Sequence, residues 1–362
     1  MKKILFLAVF CFLSVPLSSA SAAQIDQKVL KEMLITLDNE YLYPVNNAEL
    51  VAKGLNALRQ VDKKFTAYKG TDRVYVYYDQ TITAIIPFPA DDRDIDAWVK
   101  GMDSALQAAA KVSEDVALHD FELPDIMMKG MLSGLDSFSH YYSQYEYKEE
   151  DYRHNFKVYF ASRMIEDILY INIRIFNKQT SAKVREALED NPKAQGIIID
   201  LRGNAGGMLN EAIKTADLFT DDEIITYTTA RDGANVHYYT SKQGVLSDKP
   251  MVILIDGKTA SAAEVLAAGL QDQSRAKLVG TRSFGKGTVQ NITELSNGGK
   301  LVLTTEQFFT PSGKVIHEKG AEPDICTELG RDDKCSREPR ADEEEDIETA
   351  VKLLHGELDD EF

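Results

Sequence analysis

Apolar positions recur through the first part of the chain at helical spacing, and residues from Gln24 to about Glu150 read mostly as helix. In KVLKEMLITLDNEYL, residues Leu30, Met33, Leu34 and Leu37 fall on one helical face. NAELVAKGLNALRQV continues the pattern, with Asn47 as a candidate N-cap. LPDIMMKGMLSGLD predicts a further amphipathic helix. Between these, RVYVYYDQTITAIIPF is β-branched and aromatic and predicts a pair of short strands. PADDRDIDAWVKGMDSALQAAAKV then predicts a helix after an acidic, proline-led turn, with Trp98 in the core.

From about Val158 the pattern alternates between strand and helix. ILYINIRIF sets Ile171, Ile173 and Ile175 against Tyr170, Asn172 and Arg174. TSAKVREALEDNP predicts a helix capped at Thr180 and stopped before Pro192. GIIIDL and MVILID are short apolar runs suited to buried strands, and EIITYTT predicts another strand. MLNEAIKTADLF and SAAEVLAAGLQD predict the intervening helices. Repeated strand-helix order implies a layered α/β domain. GTVQNITEL, NGGK and LVLTTEQFF predict a hairpin with an Asn-Gly turn, and the chain closes on an acidic linker and a short helix.

Composition adds a compartment. Lys2 and Lys3 precede an apolar run from Ile4 to Leu17, and Ala20-Ser21-Ala22 offers a cleavage site, the layout of a secretory signal. The run is short for a bilayer span and Pro16 interrupts it, so the expected product has no membrane span after cleavage and is periplasmic or extracellular; the alternative is an uncleaved anchor. The expected organisation is a signal peptide over 1–22, a mainly helical N-terminal domain with an inserted strand-containing segment over 23–150, a core over 151–325, and a disulfide loop, acidic linker and helix over 326–362. The net charge of −17 argues against nucleic acid or anionic lipid as a partner. Cys326 and Cys335, nine apart, favour a local disulfide in an oxidising compartment. The alternative is two free thiols, because a close pair without neighbouring histidines makes a poor zinc site.

Three glycine-rich or small-residue turns carry the candidate chemistry, and each has a plainer reading. Gly280, four residues, then Gly285-Lys286 make most of a phosphate-binding loop, but Gly287 stands where the magnesium-binding hydroxyl belongs. Lys286 is then either a surface lysine or, if buried with a lowered pKa, a base. Ser261-Ala-Ala-Glu264 fits a capping box, and it equally fits a nucleophile at a strand-to-helix turn. DLRGNAGG is either a tight turn permitted by its glycines or a cradle of backbone amides. No histidine has the local setting of a triad base.

Taken together, TASAAEVLAAGLQDQSRAKLVGTRSFGKGTVQ closely resembles the carboxyl-terminal processing (tail-specific) protease family. In that family a serine is followed twenty-five positions later by a lysine in FGKG, as Ser261 is by Lys286. The resemblance implies Ser261 as nucleophile, Lys286 as general base and Gln290 as orienter of the lysine amine. It also implies an oxyanion hole in DLRGNAGG, with the Gly206 amide paired with Ala262 and Gly207 as second choice. Arg202, Glu264 and Asp272 would be supporting residues. LTTEQFFTPSG followed by GAEPDI, and KGMLSGLDSFSHYY, also resemble family segments, the latter with Ser137-Phe138 in place of Pro-His.

The fold implied is a crotonase-like (ClpP/crotonase-type) α/β protease core behind a mainly helical N-terminal domain. The implied activity is serine-type cleavage of protein substrates near their C-termini, needing no cofactor or metal. Family members usually carry a PDZ domain, and the short interval between Tyr147 and Ile168 leaves no room for one. A non-catalytic scaffold that binds peptides or partner proteins is therefore the alternative. The N-terminal domain is a candidate homo-oligomer surface.

Overall fold

The computed structural model describes residues 26–119, 121–146, 159–221, 223–242, 244–328, 335–336 and 344–358. The signal-like segment lies outside the described residues. Contacts divide the chain into two units.

The first unit takes the described residues up to Ile35, then Val45–Tyr145 and Glu294–Lys300. Helix α1 (Gln27–Glu40) begins in it and buries Leu30, Met33 and Leu34, as the apolar spacing requires. Helix α2 (Asn47–Asn56) is capped one residue earlier than expected: the Asn46 side chain accepts the Glu49 N–H at 2.9 Å. Asn46 is the residue with extended backbone, so its oxygen reaches the free amide, whereas Asn47 is already helical and buried.

Strands β1 (Phe65–Lys69), β2 (Arg73–Tyr78) and β3 (Thr81–Pro87) form an antiparallel meander. The expected pair is therefore a trio, because FTAYK pairs with β2 from Phe65↔Tyr78 to Lys69↔Val74. Helix α3 (Ile95–Val112) follows, with Asp94 as its cap. Trp98 is fully buried, as expected, and its indole N–H donates to the Asp92 carbonyl. Helices α4 (Glu114–Leu118) and α5 (Leu123–Leu132) and strand β4 (His140–Tyr142) complete this part.

The second unit takes Thr36–Pro44 and the described residues within 146–293 and 301–362. Its main sheet runs β14–β11–β10–β7–β6–β5. The strands are β5 (Phe160–Ile165), β6 (Ile168–Ile173), β7 (Gly196–Asp200), β10 (Met251–Ile255), β11 (Lys277–Gly280) and β14 (Ile325–Cys326). All neighbours are parallel except β5, which is antiparallel to β6.

Successive side chains of β7 face opposite sides. Ile197 and Ile199 pack with α6 (Thr180–Asp190), α7 (Leu209–Ala216) and α8 (Ala262–Asp272). Ile198 packs on the other face with Val252, Leu254 and helix α9 (Glu344–Leu354). Coverage on both faces is why GIIID and MVILI are unbroken apolar runs instead of alternating ones. Each fully buried Ile or Leu here contributes ~1.5–3 kcal/mol.

A second sheet orders β12 (Thr288–Glu294), β13 (Lys300–Phe309), β8 (Ile224–Thr229) and β9 (His237–Thr240). The expected Asn297-Gly298 turn joins β12 to β13, with the Leu295 N–H donating to the Gly299 carbonyl. Helix α6 ends before Pro192 as expected, but Thr180 opens the helix and Gln179 occupies the cap. Thr180 Oγ1 instead accepts the Asn177 N–H inside the preceding turn. Cys326 and Cys335 are disulfide-bonded, with Cα atoms 5.7 Å apart. Among the described residues no helix is long and apolar enough to cross a membrane.

Candidate active site

Strands β7, β10 and β11 are parallel neighbours, so the turns that leave their carboxyl ends emerge on one side of the sheet. That is where open α/β sheets place ligands. The turn after β7 is Leu201–Gly207, the turn after β10 is Asp256–Ser261, and the loop after β11 is Thr281–Gly287. These are the three stretches singled out from the sequence.

Hydrogen bonds weld the first two turns. Thr259 Oγ1 donates to the Leu201 carbonyl at 2.9 Å, and the Ala260 N–H donates to the Asn204 carbonyl at 2.9 Å. The Asp256 carboxylate accepts from the Gly203 N–H at 2.9 Å. Gly206 lies so close to Ser261 that a Cβ there would fall 2.9 Å from the Ala260 oxygen and the Ser261 Cβ. Its φ of +106° also requires glycine.

Ser261 ends the β10 turn with φ 57° and ψ −122°, a conformation in which a residue bearing a Cβ is strained. The Ser261-to-Glu264 spacing of a capping box is kept, and Glu264 Oε2 accepts the Ser261 N–H at 2.9 Å. Glu264 does more than cap. The same Oε2 accepts the Lys286 N–H at 2.8 Å, while Oε1 accepts the Gly285 N–H at 2.6 Å and the Ser283 hydroxyl. One buried carboxylate thus ties the Ser261 turn to the Lys286 loop. The Phe284 N–H adds a second tie, donating to the Thr259 carbonyl at 2.9 Å. Burial pushes the Glu264 carboxyl above its ordinary value, although the four donors oppose the rise.

Lys286 is half-buried, between the buried Gly285 and Gly287. Gly287 permits a tight approach: a Cβ there would lie 2.3 Å from the His317 N. Gln290, on β12, donates its side-chain amide to Thr288 Oγ1 at 2.9 Å and Thr304 Oγ1 at 3.2 Å. Those two bonds fix the amide orientation, so Oε1 is the end left to accept.

Among the backbone amides, the Gly206 N–H already donates to Asn204 Oδ1 at 2.8 Å. The Gly207 and Ala262 amides make no hydrogen bond to described residues. Gly207 is exposed, whereas Gly206 is buried. Asn204 and Asp256 were missed as site-shaping residues. The signal for Asn204 was its place in GNAGG, where a side chain can fold back onto an amide two residues on.

A buried charge network supports the first turn. Arg202 is 4% exposed and forks onto Asp200, Nε to Oδ1 at 2.9 Å and Nη2 to Oδ2 at 2.7 Å. Its Nη1 donates to Asp346 of α9 at 3.0 Å, and the Tyr170 hydroxyl donates to Asp200 Oδ2. One grouping of metal-ligand type occurs among the described residues, the exposed Glu166, Asp167 and His355. It lies at the start of β6, the opposite end of the sheet from these turns.

Comparison with known proteins converges on the segment that carries the three turns. The peptidase family S41 profile matches residues 167–327. A carboxy-terminal-processing protease of Bartonella bacilliformis is 40% identical over 173 residues, 46% of this chain and 40% of that protein. A carboxyl-terminal-processing protease of Synechocystis is 38% identical over 169 residues, 46% of this chain and 39% of that protein. The matches thus span less than half the length of these curated relatives. At the level of fold alone, 88% of the chain superposes on the whole of a lipoprotein from Streptococcus agalactiae, with a TM-score of 0.52 and 19% identity. The matched segment contains Ser261, Lys286 and Gln290 together with Glu264, which links the first two.

Proposed function

We propose that the protein is an exported serine peptidase whose crotonase-like core cleaves peptide bonds of protein substrates, near their C-termini, with a Ser261–Lys286 dyad. The observation that carries this reading is the shared Glu264 oxygen. It holds the Ser261 and Lys286 backbone nitrogens within two hydrogen-bond lengths of each other. A nucleophile strained at a strand-to-helix turn, beside unengaged amides, suits acyl transfer.

In the proposed reaction, neutral Lys286 Nζ accepts the Ser261 hydroxyl proton as Oγ attacks the substrate carbonyl carbon. The developing oxyanion is received by the amides of Gly207 and Ala262. Gly207 replaces the expected Gly206 in this role because the Gly206 amide is committed to Asn204. Protonated Lys286 then gives its proton to the leaving amine. Water, deprotonated by the same lysine, releases the acyl group and regenerates Ser261. Gln290 Oε1 is assigned the lysine amine as its donor. Lys286 is half-buried here, so a substrate strand laid over it would complete the desolvation that favours its neutral form. Such a strand binds extended, through main-chain hydrogen bonds.

Export is supported by the signal-like N-terminus and the Cys326–Cys335 disulfide, which belongs to an oxidising compartment. The test is hydrolysis of fluorescein-labelled casein together with labelling by a fluorophosphonate probe. Ser261→Ala and Lys286→Ala should each lose both activities while keeping a folded circular dichroism spectrum. Full cleavage by either variant would refute the dyad. A wild-type chain that binds casein but neither cuts it nor reacts with the probe would establish the scaffold reading instead.

A further inference from the structure

We infer that Asp346, on the C-terminal helix α9, is a positioning residue for the proposed reaction. Through Arg202 it holds the Leu201–Gly207 turn in the shape that presents the Gly207 amide. The inference rests on the peptidase reading, but its carrier lies beyond residues 167–327, the segment the family profile matches.

The geometry starts with side-chain direction. Residues 198, 200 and 202 share one face of the β7 strand and its exit, the face that α9 covers. Arg202 is the second residue of the turn, and its own carbonyl receives Arg174 Nη1 at 3.4 Å. The next residue, Gly203, is fixed by Asp256. The guanidinium therefore sits at the root of the segment that ends in Gly206 and Gly207.

Asp200 takes up only one edge of that guanidinium. Nη1 points away from it toward α9, where the Asp346 side chain is 3% exposed and accepts at 3.0 Å. Two carboxylates on one arginine would leave surplus negative charge in a dry site. Two donors offset it: the Tyr170 hydroxyl on Asp200, and the amide-rich first turn of α9, where Asp346 stands. With the Asp346 charge removed, the buried guanidinium would keep only Asp200 of its two described carboxylate partners, and its bond to α9 would fall from charged to neutral. The cheapest repair is a rotation of Arg202 that drags the turn with it.

The helix has its own fastenings, which separates positioning from mere docking. Ile347, Ala350, Val351 and Leu354 pack on Ile198, Leu254 and their neighbours. At the far end, His355 Nε2 meets Asp167 at 2.9 Å. Asp346→Asn keeps the shape and this packing while removing the charge. Val351→Ala weakens the packing without touching Arg202.

The experiment compares these two variants in the full chain. Turnover of fluorescein-labelled casein, the fluorophosphonate labelling rate and amide exchange over 201–207 are measured. Asp346→Asn should lower kcat and labelling by about tenfold to a hundredfold, the scale of a misplaced catalytic group, with KM changed by less than about twofold. Exchange over 201–207 should accelerate, and Asp346→Glu should recover part of the turnover. Val351→Ala, at an equal or larger loss of Tm, should keep its kcat. The inference is overturned if Asp346→Asn turns over at the wild-type rate, or if Val351→Ala loses as much kcat at the same Tm. Unchanged exchange over 201–207 overturns it even if the wild-type protein proves not to be a peptidase, since that readout needs no catalysis.

Discussion

Replacing Glu264 by glutamine separates the carboxylate's linking role from the space it fills. The carboxylate accepts four bonds, from Ser261 N–H, Lys286 N–H, Gly285 N–H and the Ser283 hydroxyl. Glutamine has one acceptor oxygen and one amide group, so one pair of donors must face an NH2. The least costly placement turns the amide toward Ser283, whose hydroxyl can accept, and strands the Gly285 N–H. A stranded buried amide costs about 1–3 kcal/mol, and demoting the bonds to Ser261 and Lys286 from charged to neutral costs about 1 kcal/mol each. Relief of the buried charge offsets part of this, leaving a loss of about 2–4 kcal/mol.

Urea unfolding should show that loss as a lower midpoint at unchanged slope, and casein turnover should fall with it. The pH dependence gives a second check. Burial raises the folded-state value of this carboxyl above 4.5, so the stability it contributes is fully present below 4.5 and declines as pH rises through the folded value. The glutamine variant should lack that decline. A variant within about 0.5 kcal/mol of wild type and fully active would refute the view that this side chain joins the two turns.

Two further outcomes follow from local geometry. Ser261→Gly should be more stable than Ser261→Ala by about 1 kcal/mol in thermal unfolding, because glycine relieves the positive φ at some entropic cost, and both should be inactive; equal stabilities would mean that the turn stores no strain. Burial raises the Asp272 carboxyl, but Lys314 and Ser312 more than offset this and bring it to about 2, so it contributes about 2 kcal/mol above pH 3.8 that is lost as pH falls toward 2. Asp272→Asn should therefore unfold more readily at neutral pH and show a flatter acid limb; an unchanged acid limb would count against that pairing.

How much of this was legible in the sequence depends on how far apart the partners lie. Ser261 and Lys286 could be paired because both sit in one continuous family-like stretch. Glu264 read as a capping residue and, through the resemblance, as a supporting residue with no stated partner, since nothing local says that residues 283–286 fold back onto it. The Arg202–Asp346 pair spans 144 positions and left no local trace. In the fold, GIIID and MVILI were readable because both faces are covered. FASRMI and HYYT, which form β5 and β9, are largely exposed on both sides and carry no apolar alternation to betray a strand. Gly206 illustrates a finer limit, because its glycine is needed to let Ser261 approach while its amide is spent on Asn204.

The short strand β14 does more than its two residues suggest. It lies along the outer side of β11, and the segment around it takes up the hydrogen-bonding groups that β11 would otherwise offer. Asp324 N–H donates to the Leu278 carbonyl, the Asp324 carboxylate accepts the Leu278 N–H, and Thr327 N–H donates to the Gly280 carbonyl. Cys326 sits at the centre of this cover, and its bond to Cys335 pins it. An unpaired sheet edge is a template for the strands of other molecules. The disulfide thereby becomes a guard against aggregation. In a reducing environment the same chain should self-associate through the β11 margin before the turns that carry Ser261 and Lys286 lose their shape.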